Sequence, residues 1–261
     1  MRAALLAAVE RSPSAAAAHD RPEWVGVFTD DGRVEDPVGS RPHTGSSEIG
    51  RFYDTFIGPR DIGFHRDVDI VRGSSVIRDL ELEVVMGSAV TMTTPAVLRY
   101  DLRQVEGDWK IAVLRAYWEL PAMVLQFLSN GVSALPAGLQ LSRGLVQNQR
   151  LRGTGGFAAG FRRAGSRHKT LVDTFVNAVG DGDESAALEA LSSGATISFG
   201  DDEVADIAEL TRGCRGARAT KLIAAGTTVA ASVASGQRRG VLFADVARHG
   251  TGIAQVRYFA Q

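Results

Sequence analysis

The chain has 261 residues, 44% hydrophobic and 23% charged, with a formal net charge of -1. This is the composition of a folded chain long enough for one large or two small domains, and it excludes a disordered or fibrous protein. A balance so near neutral supplies no general field for nucleic acid. The single cysteine, Cys214, rules out an intrachain disulfide and points to a reducing, cytoplasmic setting, and no window offers the roughly 18 uninterrupted apolar residues of a membrane span.

The opening "MRAALLAAVERSPSAAAAHD" is Ala-rich with apolar residues at helical spacing. Its apolar run is short for a signal core and is interrupted by Glu10, Arg11 and Pro13, so a helix is expected. "RPEWVGVFTDDG" predicts a second short helix, opened by Pro22 and closed at an Asp-Asp-Gly turn, with a strand to follow. In "EIGRFYDTFIG", Ile49, Phe52, Tyr53 and Phe56 stand at helical offsets, and Gly58-Pro59 ends the pattern. From Gly63 to Glu119 the period is two: Leu80, Leu82 and Val84 alternate with acids, and Ala96, Leu98, Tyr100 and Leu102 form a second such series. The first half therefore reads as helices followed by a curled antiparallel sheet.

Residues 122–166 read as a linker, first apolar and helical around Pro136, then rich in glycine and arginine. "GTGGFAAG" within it fits no nucleotide-binding spacing. Seven Lys or Arg and no acid lie between Arg143 and Lys169, which reads as a solvated linker in preference to a nucleic-acid or membrane patch. From residue 167 the order of the first half recurs, most plainly where "KIAVLRAYW" is echoed by "GIAQVRYFA". The second copy is about twenty residues shorter between its first strand and that echo, so the loss of part of a helix or of the sheet is expected. The domains read as 1–121, a linker at 122–166, and a shorter, degenerate copy at 167–261. The five histidines are too scattered for a metal site, and no cofactor is implied.

"VEDPVGS" holds the acid of most interest. Period two puts Val34, Asp36 and Val38 on one face, so Asp36 points to the apolar side, where an ionised carboxylate is costly and a candidate for chemistry. Alternatively, Glu35-Asp36-Pro37 is a turn and Asp36 accepts from nearby backbone N–H groups. "VEDPVGS", followed by Pro42, Gly45, Ile49 and Phe52-Tyr53, resembles the ketosteroid isomerase signature, and the closing "RAYW" agrees with it. The resemblance places the chain in the NTF2-like (SnoaL-like) superfamily of cone-shaped α+β folds, here as two tandem copies.

That resemblance implies that Asp36 moves a proton from the carbon beside a ketone to a more distant carbon, bringing a C=C bond into conjugation on a steroid-like, hydrophobic substrate. It implies oxyanion donors as well, a tyrosine on the first helix and a protonated acid on a later strand. Counting without gaps puts Ser12 at the tyrosine position. Asp101 fits the acid by the same counting, whereas strand alternation turns it outward and leaves Leu98 in that place. Tyr53 matches a tyrosine that supports the missing one and is a candidate direct donor. Phe28, Val38, Phe52, Phe56, Leu98, Tyr100 and Trp118 are the expected pocket lining, with His65 a further group within reach. Asp36 aligns with Phe199 in the second copy, which is therefore expected to be a structural or dimerising partner, with an intrachain pseudo-dimer and a homodimer both open. A non-catalytic apolar-ligand module and polyketide cyclase-type chemistry are the rival readings, since fold does not fix function.

Overall fold

The two-residue period becomes four long antiparallel strands in the computed structural model, whose described residues are 1–86, 90–129, 165–247 and 252–261. They are β3 (Asp61–Arg72), β4 (Ser75–Met86), β5 (Val90–Val105) and β6 (Asp108–Tyr117). Ahead of them come β1 (Phe28–Glu35) and the short β2 (His43–Thr44), which complete a six-stranded sheet of order β2-β1-β6-β5-β4-β3, with β1 parallel to β6 and the other pairs antiparallel. The alternation sends Leu98 and Tyr100 of β5 to one face, beside Ala116 and Leu114 of β6 and Arg78 and Val76 of β4. Helices α1 (Arg2–Ala17), α2 (Arg21–Gly26), α3 (Gly45–Phe52) and α4 (Leu120–Ser129) contribute to packing around this sheet. Leu5, Val9, Trp24, Ile49 and Phe52 join Val76, Leu80, Leu98, Tyr100 and Ile111 in one core, each large apolar side chain contributing about 1.5–3 kcal/mol by leaving water.

Two local expectations are corrected. Asp30-Asp31-Gly32 is no turn but part of β1, where the pairing with β6 slips between Phe28 and Arg33. A Cβ at Gly32 would lie 2.8 Å from the Thr29 carbonyl oxygen, so this bulge requires glycine. The helix over the Phe52-Tyr53 segment does not stay α throughout: from Tyr53 to Ile57 it widens to a π-helical turn, a feature that re-aims side chains within a helix.

One polar group is built into the core side. Arg78 is 2% exposed and binds Asp69 through Nε and Nη2 at 2.8 and 3.0 Å and Glu10 of α1 through Nη2 at 2.8 Å. Burying the guanidinium is tolerable because carboxylates meet its forked donors in geometry that suits them.

The chain divides into two units, Met1–Arg162 and Arg163–Gln261. The second unit has α5 (Ser166–Asp181), α6 (Glu184–Glu189), β7 (Leu191–Phe199), β8 (Glu203–Ala205), α7 (Ile207–Gly213), β9 (Arg218–Ala225), β10 (Thr228–Ser235), β11 (Arg238–Val246) and β12 (Ile253–Ala260). Its strand order, β8-β7-β12-β11-β10-β9, reproduces that of the first sheet, so the chain is two tandem copies of one NTF2-like fold. The missing length comes out of the sheet, as expected: the four main strands shorten from 12, 12, 16 and 10 residues to 8, 8, 9 and 8, while all six strands remain. Apart from α4, most of the expected linker, with its second apolar helix and Gly/Arg-rich run, lies outside the described residues. No helix among the described residues is long and apolar enough to cross a membrane.

Candidate active site

The site begins where β1 ends. Glu35 accepts from the Gly39 N–H at 3.1 Å and the Val38 N–H donates to the Ala116 carbonyl at 2.8 Å, tying the "EDPVG" turn to β6. The turn-stabilising carboxylate is therefore Glu35, which leaves Asp36 without a backbone task. Asp36 instead lines a cavity of about 210 Å³ on the helix-facing side of the first sheet. Its Oδ1 accepts from the indole Nε1–H of Trp118, the residue after β6, at 2.6 Å. Burial among apolar walls pushes the Asp36 carboxyl up to about 6, and the Trp118 hydrogen bond, which favours the charged form, opposes that rise. Asp36 is thus poised near neutrality, ionised at pH 7 and protonated at mild acidity.

Polar groups are few on the other walls. Tyr100 is 1% exposed, lines the cavity, and makes no hydroxyl hydrogen bond among the described residues. Burial pushes its pKa well above the usual tyrosine range, the charge on Arg78 works against that rise, and the charge on Asp36 adds to it. The hydroxyl therefore stays protonated, near enough to Asp36 to feel its charge and polarised by the Arg78 cation. Ser12 lines the cavity from α1. Arg60, in the link between the π-helical turn and β3, lines it from another side; burial pulls its pKa down to about 10.

Of the expected lining, Phe52, Phe56, Leu98, Tyr100 and Trp118 reach the cavity, while Phe28 and Val38 do not. Phe28 packs instead against Trp24, ring centroids 5.1 Å apart, and Val38 is buried in the turn. Tyr53 does not line the cavity either: its ring lies 5.4 Å from that of Trp24, and its buried hydroxyl finds no partner. Its assignment as a direct donor is corrected for that reason. Asp101 is corrected likewise. It points to the opposite face, where it accepts from Ser75 at 2.8 Å, Arg99 at 2.9 Å and Arg115 at 2.5 Å. Burial raises its pKa, but Arg99, Ser75 and Arg115 outweigh that and hold it below the usual carboxylate range, so it cannot serve as a protonated donor. Leu98 stands on the cavity wall where the alternation puts it. His65 is exposed, with its ring 3.8 Å from Glu83 and away from the cavity.

Sequence reasoning missed Trp24, Arg60 and Leu120 on the cavity wall. Met123, Val124 and Phe127 of α4, whose apolar helical spacing was legible as a cover for the open end of the sheet, line the same wall. Gln126 of the same helix accepts from the Thr93 N–H at 3.0 Å and holds α4 to that strand. The described residues contain no cluster of side chains able to hold a metal.

The second unit lacks the acid. Glu35 pairs with Arg115, and Ser198 pairs with Arg257 at the equivalent step, so Phe199 stands where Asp36 does in the first copy. The echo likewise sets Ala260 at the place of Trp118. Phe199 meets Tyr258 edge-on at 6.3 Å and belongs to that unit's apolar core.

Residues 4–126 match the Nuclear transport factor 2 (NTF2) domain family. Among solved structures, a Delta 5-3-ketosteroid isomerase from Mycobacterium sp. is 27% identical over 46% of this chain and 95% of its own, with a TM-score of 0.42. A Mycobacterium tuberculosis protein in complex with estradiol-17beta-hemisuccinate is 25% identical over 44% of this chain and 94% of its own, with a TM-score of 0.41. An LEH-like epoxide hydrolase from M. tuberculosis is 16% identical over 51% of this chain and 96% of its own, with a TM-score of 0.43. No curated protein sequence matches.

Proposed function

With an NTF2 domain as its first half, residues 4–126, the chain is, we propose, a ketosteroid isomerase-like enzyme that moves a C=C bond into conjugation with a ketone on a hydrophobic, steroid-like substrate. One observation carries the reading: a carboxyl with a pKa raised to about 6 lies inside an apolar cavity whose wall also holds Tyr100. Asp36 as carboxylate takes the proton from the carbon between the ketone and the double bond. The C–H electron pair moves into a new C=C bond and the carbonyl π pair moves onto oxygen, where the Tyr100 hydroxyl donates to the developing negative charge. Protonated Asp36 then returns the proton to the distant alkene carbon, which re-forms the carbonyl and leaves the conjugated enone. A single carboxyl serves as base and then acid because its pKa lies close to neutrality. No cofactor enters this balance.

Incubation with 5-androstene-3,17-dione, followed by ultraviolet absorbance of the conjugated product, tests the reading. Turnover by the wild type that Asp36→Asn abolishes supports it; equal rates in the two proteins remove it. Ser12, standing on the wall where the resemblance calls for a tyrosine, favours a second reading, an apolar-ligand-binding module. Tight steroid binding with no turnover would select that one. For the second unit, with Phe199 in the acid's place, a structural or dimerising role is proposed.

A further inference from the structure

Arg60 is an unusual wall for this cavity. It is 9% exposed, and among the described residues its one side-chain hydrogen bond runs from Nη1 to the Thr55 carbonyl at 2.7 Å. The guanidinium lies 5.9 Å from the centre of the Phe56 ring. No carboxylate pairs with it among the described residues, in contrast to Arg78, Arg99 and Arg115, each of which binds an acid. A cation held out of water without a counter-charge is costly unless something else supplies that charge. The remaining donors of the fork, Nε and Nη2, have no partner among the described residues, while the side chain lines the cavity.

We propose that the cavity binds an elongated amphiphile, an apolar body carrying one monoanionic oxyanion, carboxylate or sulfate ester, that is held by the free donors of Arg60. The inference rests on the reading of this cavity as the substrate site and adds the polarity of its ligand. Two placements give the orientation. Asp36 follows β1 and Arg60 precedes β3, on opposite sides of the order β1-β6-β5-β4-β3, and both line one cavity. A ligand meeting both groups spans that cavity, which a polycyclic or long-chain skeleton can do. The Asp36 carboxylate repels an anion, so the charged end lies toward Arg60 and the neutral ketone end toward Asp36 and Tyr100. With one arginine and no second cation lining the cavity, a single negative charge is matched. Arginine's planar fork suits both oxyanions.

The test titrates tryptophan fluorescence, since Trp24 and Trp118 line the cavity, with 3-oxoandrost-4-ene-17β-carboxylic acid against its methyl ester and with testosterone sulfate against testosterone. The wild type is expected to bind at least one anion about tenfold or more tightly than its neutral counterpart. Arg60→Gln should reduce that preference to within about twofold and Arg60→Lys should keep part of it. Preference for the acid alone or the sulfate alone identifies the oxyanion. Equal binding of anion and neutral counterpart by the wild type overturns the proposal whatever the variants do, as does no binding of any of the four, or a preference that survives Arg60→Gln. Turnover of the neutral dione tests the isomerase reading separately, so either can fail while the other stands.

Discussion

The indole N–H of Trp118 donates to Oδ1 of Asp36 at 2.6 Å across 82 positions of sequence. The bond fixes one oxygen of the carboxylate and stabilises its charged form against the surrounding apolar wall. Both residues sit just past the ends of paired parallel strands, β1 and β6, so the sheet itself brings them together.

Activity should follow the ionisation of Asp36. The rate constant kcat/KM is expected to rise as pH increases through about 6, where the partly buried carboxyl loses its proton. Trp118→Phe removes the donor that favours the charged form, so the midpoint should move upward by about one to two pH units. A pH–rate profile of both proteins checks this; a midpoint that stays put or falls in the variant contradicts the role given to the indole.

Asp36→Asn should lower turnover by about 10²–10⁴-fold and yet stabilise the protein at neutral pH. The folded pKa is raised, so the carboxyl's favourable contribution is complete below the unfolded pKa near 3.8 and is lost as pH rises through about 6. The shift corresponds to roughly 3 kcal/mol by pH 8. Urea unfolding of wild type and variant at pH 4.5 and pH 8 should show the variant's advantage growing with pH.

Tyr100→Phe removes a hydroxyl that makes no hydrogen bond among the described residues. Stability should change little, whereas kcat should fall about 10²–10³-fold with KM nearly unchanged, the signature of a donor that acts on developing charge. Steady-state kinetics together with thermal unfolding separate this from a packing defect.

Arg78→Met should destabilise the first domain by about 1.5–3 kcal/mol, because Asp69 and Glu10 lose their shared buried guanidinium while Arg66 still reaches Asp69 at 3.2 Å. Denaturant unfolding provides the measurement. Loss of the nearby cation should also raise the Tyr100 pKa further and weaken its hydroxyl as a donor.

Much of this site was legible because strand periodicity is a local rule. Alternation alone turned Leu98 and Tyr100 inward and Asp101 outward against the gap-free count, and the structure has them so. The repeat alone aligned Phe199 with Asp36, and strand pairing puts them at equivalent steps. The apolar face of Asp36 and the order of elements in both copies were likewise available from spacing.

What spacing cannot supply is depth. A period of two or 3.6 assigns a side chain to a face, but whether that side chain ends in packed core or at a cavity wall depends on how far a curved sheet and the helices over it stand apart. Phe28, Val38 and Tyr53 share the core side with Phe52 and Leu98, yet only the latter two reach the cavity. Arg60, which no local period singles out, becomes a buried donor where the π-helical turn and the start of β3 bring it against Phe56. The sequence by itself determined the face of each residue and the repeat of the fold; tertiary structure decided which polar groups share the cavity, because their proximity depends on contacts distant in the chain that no local period encodes.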